Sequence, residues 1–130
     1  MAARTASFWI PGKLPSLNEL IGAAKGFGGA GYGYAKLKRQ WTDACALRIR
    51  AAGVPKGFVR VNLAFRWVEP NRKRDLDNIA AGGRKLITDS LVHAGVLPND
   101  GWAQIAGFSD SFEVGPKPGV EVTITEVSSC

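Results

Sequence analysis

Phe58-Val59-Arg60-Val61-Asn62-Leu63-Ala64-Phe65-Arg66-Trp67-Val68 is the stretch on which the fold turns. Val59, Val61, Leu63, Phe65 and Trp67 alternate with Arg60, Asn62, Ala64 and Arg66, the period of two that marks a strand with one face in a core. The other face is wet or meets a partner, so Arg60 and Arg66 point either to solvent or to an anion. Glu69-Pro70 closes the strand and delivers the chain into Asn71-Arg72-Lys73-Arg74, a basic cluster directly before two aspartates.

Outward from this strand the pattern alternates between elements. Ala6 to Ile10 reads as a short strand closed by Pro11-Gly12. Leu14 to Leu20 follows, and then Gly22 to Gly33, which holds six glycines with Lys25, Phe27, Tyr32 and Tyr34 in or beside it. So much glycine weakens regular structure, and the stretch is either a basic, aromatic flap or a plain surface loop. Leu37, Trp41, Ala44, Cys45, Ile49 and Ala52 recur at helical spacing over Ala35 to Ala52, with Gly53 and Pro55 as the stop. A second helix is predicted from the aspartates to about His93, with Gly95 as its C-cap. Two strands are predicted around Ala103 to Val114 and Val120 to Val127, joined by a turn at Gly115 to Gly119. The order β-α-β-α-β-β predicts an α+β fold, one domain over residues 1–130, with a mixed β-sheet and two main helices.

With 130 residues and 45% apolar composition the chain can bury one core and has no room for a second domain of usual size. Seventeen Lys and Arg against eleven acids give a formal charge of +6, which suits an acidic partner such as nucleic acid or an anionic surface. No run of about 18 apolar residues suggests a membrane span, and no secretory signal is legible, so a cytoplasmic protein is expected. Cys45 and Cys130 fit neither a disulfide framework nor a thiolate metal site; they read as a buried filler and a tail thiol. His93, the single histidine, stands near a helix C-terminus as a surface residue that complements the helix dipole, which excludes Ser/His/Asp chemistry.

The chemistry concentrates in Arg74-Asp75-Leu76-Asp77-Asn78, followed by Lys85, Asp89 and Asp100. Convergent carboxylates in a basic chain suit a hard divalent cation, because Mg²⁺ prefers carboxylate oxygens and takes further ligands from phosphate. Asp75 and Asp77, two residues apart in extended backbone, would point to the same side and share one ion. Alternatively Asp77 or Asn78 caps the helix, which explains one acid and not the other. Asp89, four residues after Lys85, either orients that lysine or is an ordinary helical partner. Trp102, beside Asp100, packs in the core, at a subunit contact or against DNA.

The order of these residues, with Thr88-Asp89-Ser90-Leu91, Ala94-Gly95-Val96, Asn99-Asp100 and Ile105, resembles the RusA family of Holliday junction resolvases. Ile10-Pro11-Gly12 and Pro15-Ser16-Leu17-Asn18 are similar to the N-terminal pattern of that family, so the likeness runs from Ile10 to Ile105. It implies a RusA-like fold and a homodimeric, Mg²⁺-dependent endonuclease, with Mn²⁺ as a substitute ion, that resolves four-way DNA junctions by paired nicks. It also implies a bacterial setting, often with a phage or prophage origin. Asp75, Asp77 and Asp100 match the metal-binding catalytic acids and Lys85 the catalytic lysine, with Arg84 a rival for that role. Arg72, Lys73, Arg74 and Arg84 are expected to contact the DNA. The alternative is a branched-DNA-binding protein with little or no turnover.

Two departures accompany the likeness. The commoner form of the family places the lysine four residues after the second aspartate; here it follows after eight, with Ala80-Ala81-Gly82-Gly83 filling the difference. Four helical residues turn the lysine by about 40° net and carry it about 6 Å along the axis. Otherwise the glycine pair marks a local unwinding or a delayed helix start. Asn99 stands where the family commonly has an acid, so retuned metal affinity is expected.

Overall fold

The computed structural model describes residues 4–24 and 32–127. Four strands, β1 (Thr5–Pro11), β2 (Val61–Glu69), β3 (Ile105–Val114) and β4 (Gly119–Glu126), form one sheet in the order β1-β4-β2-β3. β2 runs parallel to β3 and antiparallel to β4, and β1 runs antiparallel to β4. The sheet is mixed, in an α+β domain. Three helices, α1 (Leu17–Ala24), α2 (Tyr32–Ala51) and α3 (Leu76–His93), pack on one another, and α2 lies against β1.

β2 forms the centre because its alternation serves two neighbours at once. Val61, Leu63, Phe65 and Trp67 are buried with Val120, Val122 and Ile124 of β4 and Phe8 and Ile10 of β1. Ile49 and Leu91 join the same core from α2 and α3. On the opposite face Arg66 sits between Glu113 of β3, at 2.8 Å, and Glu121 of β4, at 3.3 Å, so this arginine serves the sheet.

The structure corrects the strand's start. β2 begins at Val61, while Phe58 is buried and donates its amide to the Val96 carbonyl at 3.0 Å. With both Phe58 and Val61 in the core the period of two is broken between them, and Val59 is left 64% exposed. β3 likewise begins at Ile105, because residues 101–104 form a turn in which the Gly101 carbonyl accepts from the amides of Gln104 and Ile105.

A third helix is the other correction. Ser16 Oγ accepts from the Glu19 amide at 3.2 Å and Glu19 Oε1 accepts from the Ser16 amide at 3.4 Å, a reciprocal capping box that starts α1. The glycine-rich stretch is shorter than its sequence suggests, since α1 and α2 take up its margins; residues 25–31, with Lys25 and Phe27, lie outside the described residues. Cys45 is buried as expected, and burial pushes its thiol up to about 11. Cys130 lies outside the described residues.

Helix α3 runs unbroken through Gly82 and Gly83, so neither unwinding nor a delayed start explains the pair. Packing does. A Cβ on Gly82 would meet the backbone of Pro15 to Leu17 at the start of α1, and a Cβ on Gly83 would come within 2.5 Å of the Trp67 ring. The glycines allow two neighbours to press against the helix backbone. At the far end Gly95, at φ +80°, ends the helix, and the Val96 amide reaches back to the Leu91 carbonyl at 2.9 Å. Among the described residues no helix is long and apolar enough to cross a membrane.

Candidate active site along helix α3

α3 returns alongside the sheet between β2 and β3, with Asp75 and Asp77 at its start and Asp100 in the loop beyond its end. Asp75 occupies the N-cap position with extended backbone (φ −69°, ψ 144°), and its side chain makes no capping bond. Asp77 lies in the first helical turn. The two therefore straddle the helix start and do not share one extended strand, and the cap falls on neither Asp77 nor Asn78. Both residues are exposed, close to the positive end of the helix dipole.

The basic cluster before them is divided. Arg74 grips Glu69 through Nε at 2.9 Å and Nη2 at 2.6 Å, while Nη1 donates to the Leu14 carbonyl at 2.7 Å and to Glu19 at 3.0 Å. Its side chain is only 13% exposed, and the Glu69 carboxylate raises its pKa further. Arg74 is thus turned inward as a clamp that ties the end of β2 to the starts of α1 and α3. Arg72 and Lys73 remain exposed, and Arg72 lines a cleft of about 380 Å³ with Asp75, Glu113 and Phe112.

About two turns along the helix, Arg84 and Lys85 part company. Arg84 leans over Phe108, 5.1 Å from the ring centroid, with Nη1 3.6 Å from Asp110 Oδ2. Asp110 also accepts a 2.8 Å bond from Trp67 Nε1, which fixes that carboxylate to the sheet. Lys85 turns the other way: its Nζ lies 3.4 Å from Asp89 Oδ1 and 4.0 Å from Asp100 Oδ2. Of the two rivals, it is Lys85 that meets the loop acid.

Asp89 divides its oxygens. Oδ2 lies 3.1 Å from Lys38 Nζ of α2, outside hydrogen-bond alignment, so this is a contact of opposite charges. Asp89 raises the pKa of Lys38, against a smaller opposing effect of burial. No local spacing in the sequence reveals this partner of Lys38 on another helix. The clamp partner Glu69 was missed for the same reason. His93 is half exposed, 4.0 Å from Asp43, as a surface residue should be.

No protein-family model matches the chain, and no curated protein matches it. Its chemistry must be read from its own residues. The donors are hard carboxylate oxygens, the type Mg²⁺ takes. Among the described residues, however, no three His, Cys, Asp or Glu side chains gather closely enough to hold a metal ion. Of the three expected ligands, Asp75 and Asp77 stand together only in sequence, at the helix start, and Mg²⁺ is commonly bound through one or two carboxylates with water and ligand oxygens filling its shell. Asp100 stands with Lys85 instead.

Proposed function

We propose that this protein is a Mg²⁺-dependent endonuclease for branched DNA, similar to the RusA-type resolvases, that acts as a homodimer and cuts four-way junctions by paired nicks. The observation that supports it is the run Asp75-Leu76-Asp77 at the start of a helix whose Lys85 turns to Asp100. Bound there, Mg²⁺ would supply Lewis-acid neutralisation of the scissile phosphate and a more acidic bound water. Asp75 and Asp77 would hold the ion. The helix N-terminus adds backbone amides that favour an anion, and Lys85 donates to charge that develops on the phosphoryl oxygens. Arg72 and Lys73 take neighbouring phosphates, which positions the strand without reading its sequence. Arg74 holds the scaffold beneath them.

A second reading has a specific observation in its favour. Asp100 is engaged by Lys85 and does not join the other two acids, an arrangement suited to a junction-binding protein without turnover. A labelled synthetic four-way junction and a matched linear duplex, each incubated with the protein and Mg²⁺ and run on a denaturing gel, separate the two. Paired nicks in the junction with the duplex spared are expected. Junction binding with no nicks at all would replace the nuclease with the binding protein, and equal cutting of the duplex would remove the preference for branches.

A further inference from the structure

Trp102 is 96% exposed, whereas Trp67 in the core is 2% exposed. An indole left in water forgoes the stabilisation that burying a large apolar side chain brings. The turn that carries it does not need it: Gln104 Oε1 accepts from the Gly101 amide at 3.0 Å, and the Gly101 carbonyl closes the turn through the backbone. Trp102 is therefore presented outward by a turn built from other groups.

Beside it lies a cleft of about 390 Å³, lined by Arg60, Asp100, Ile105 and Phe108 as well as Trp102. Phe108 is 46% exposed, and its ring is held in place by Arg84 and by Phe65, whose centroid is 6.0 Å away. The cleft thus offers two aromatic side chains, an arginine and a carboxylate, which is the chemistry that receives a flat heteroaromatic base with polar edges. Charge complementarity favours a nucleic acid strand as the occupant, since the chain carries a formal charge of +6 and Arg60 stands in the lining of the cleft. Asp100, which touches Lys85, is two residues from Trp102, at most about 7 Å of backbone. Asp100 thus stands between Lys85 and the turn that carries Trp102, which puts the cleft beside the candidate site.

We propose that Trp102 is a stacking platform for an unpaired nucleobase, drawn into this cleft next to the candidate active site. This rests on the nucleic-acid reading above and adds to it a residue that holds the strand by a base. Branch points and single strands supply such bases at low cost, so the platform favours them over an intact duplex.

The test uses the Asp77→Asn protein, so that nothing is cut, with Trp102→Ala and Trp102→Phe added to it. The probes are a four-way junction and a single-stranded oligonucleotide, read by affinity and by tryptophan emission, with sedimentation of each variant alongside. Trp102→Ala should weaken binding by about 5- to 100-fold and abolish most of the emission quenching, while Trp102→Phe keeps affinity within a few-fold. Equal binding by the alanine variant, or a dissociated oligomer whose protomers bind DNA undiminished, overturns the proposal. A Trp102 effect in a protein whose native form never cuts would strike the nuclease reading alone. No DNA binding by the native protein would overturn both.

Discussion

At the start of α3 two aspartates stand exposed, and the one at the cap position makes no capping bond; about two turns later Asp89 and Asp100 share Lys85, and Asp89 holds Lys38 besides. Both regions carry a pair of acids. They differ in what neutralises them: the second pair is supplied with lysines by the fold itself, and the first depends on the helix dipole and on whatever binds. Carboxylates already paired with lysine need no cation. The pair at Asp75 and Asp77 is therefore the better place to look for one, and Lys85 with its acids the better place to look for a positioned ammonium group.

The largest effect expected short of the metal-site acids themselves is at Lys85. Lys85→Met should lower single-turnover cleavage by about 100- to 1,000-fold with junction affinity changed far less, the loss typical of removing one preorganised donor. Equal losses of affinity and rate would place Lys85 among ordinary phosphate contacts and erase the distinction between the two regions. Next comes the clamp beneath the first pair. Arg74→Ala strands the nearly buried Glu69 carboxylate, and chemical denaturation should show a loss of about 3 kcal/mol.

Between the two regions lie the glycines. Gly→Ala inside a helix ordinarily gains up to about 1 kcal/mol, yet here the added methyl meets backbone or an indole ring, so Gly82→Ala and Gly83→Ala should each cost about 2 kcal/mol net. A gain in stability from either would mean that α1 and Trp67 do not press on α3 as described. The smallest effect concerns Lys38. Its pKa is raised by Asp89, so the contact stabilises the fold at and below the ordinary lysine value of 10.5 and is lost as pH rises through the higher folded value. Stability measured between pH 9 and pH 12 should therefore fall less steeply in Lys38→Met than in the native protein.

Much of this was legible in the sequence where the cause is local. The alternation from Val61 to Trp67, the glycine stops at Gly53 and Gly95, and the Lys85–Asp89 spacing each depend on a few neighbouring residues, and each reappears in the structure. The capping box of Ser16 and Glu19 was equally local, and its signal lay in the Ser-x-x-Glu spacing. What the sequence concealed depends on distant partners. Gly82 is explained by Pro15 to Leu17, Phe58 by Val96, Arg74 by Glu69 and Leu14, and Asp89 by Lys38 of another helix. The position of Asp100 belongs to the same class, because a loop residue's neighbours are set by how the helix before it packs.

The most direct measurement is the Mg²⁺ dependence of single-turnover cleavage of a four-way junction by the native protein, Asp77→Asn and Asp100→Asn. The expected result is Mg²⁺-dependent nicking by the native protein and a loss of about 1,000-fold in Asp77→Asn that added Mg²⁺ does not restore. Cleavage by Asp77→Asn at the native rate, or none by the native protein at any Mg²⁺ concentration, would contradict a metal-dependent active site at the start of α3.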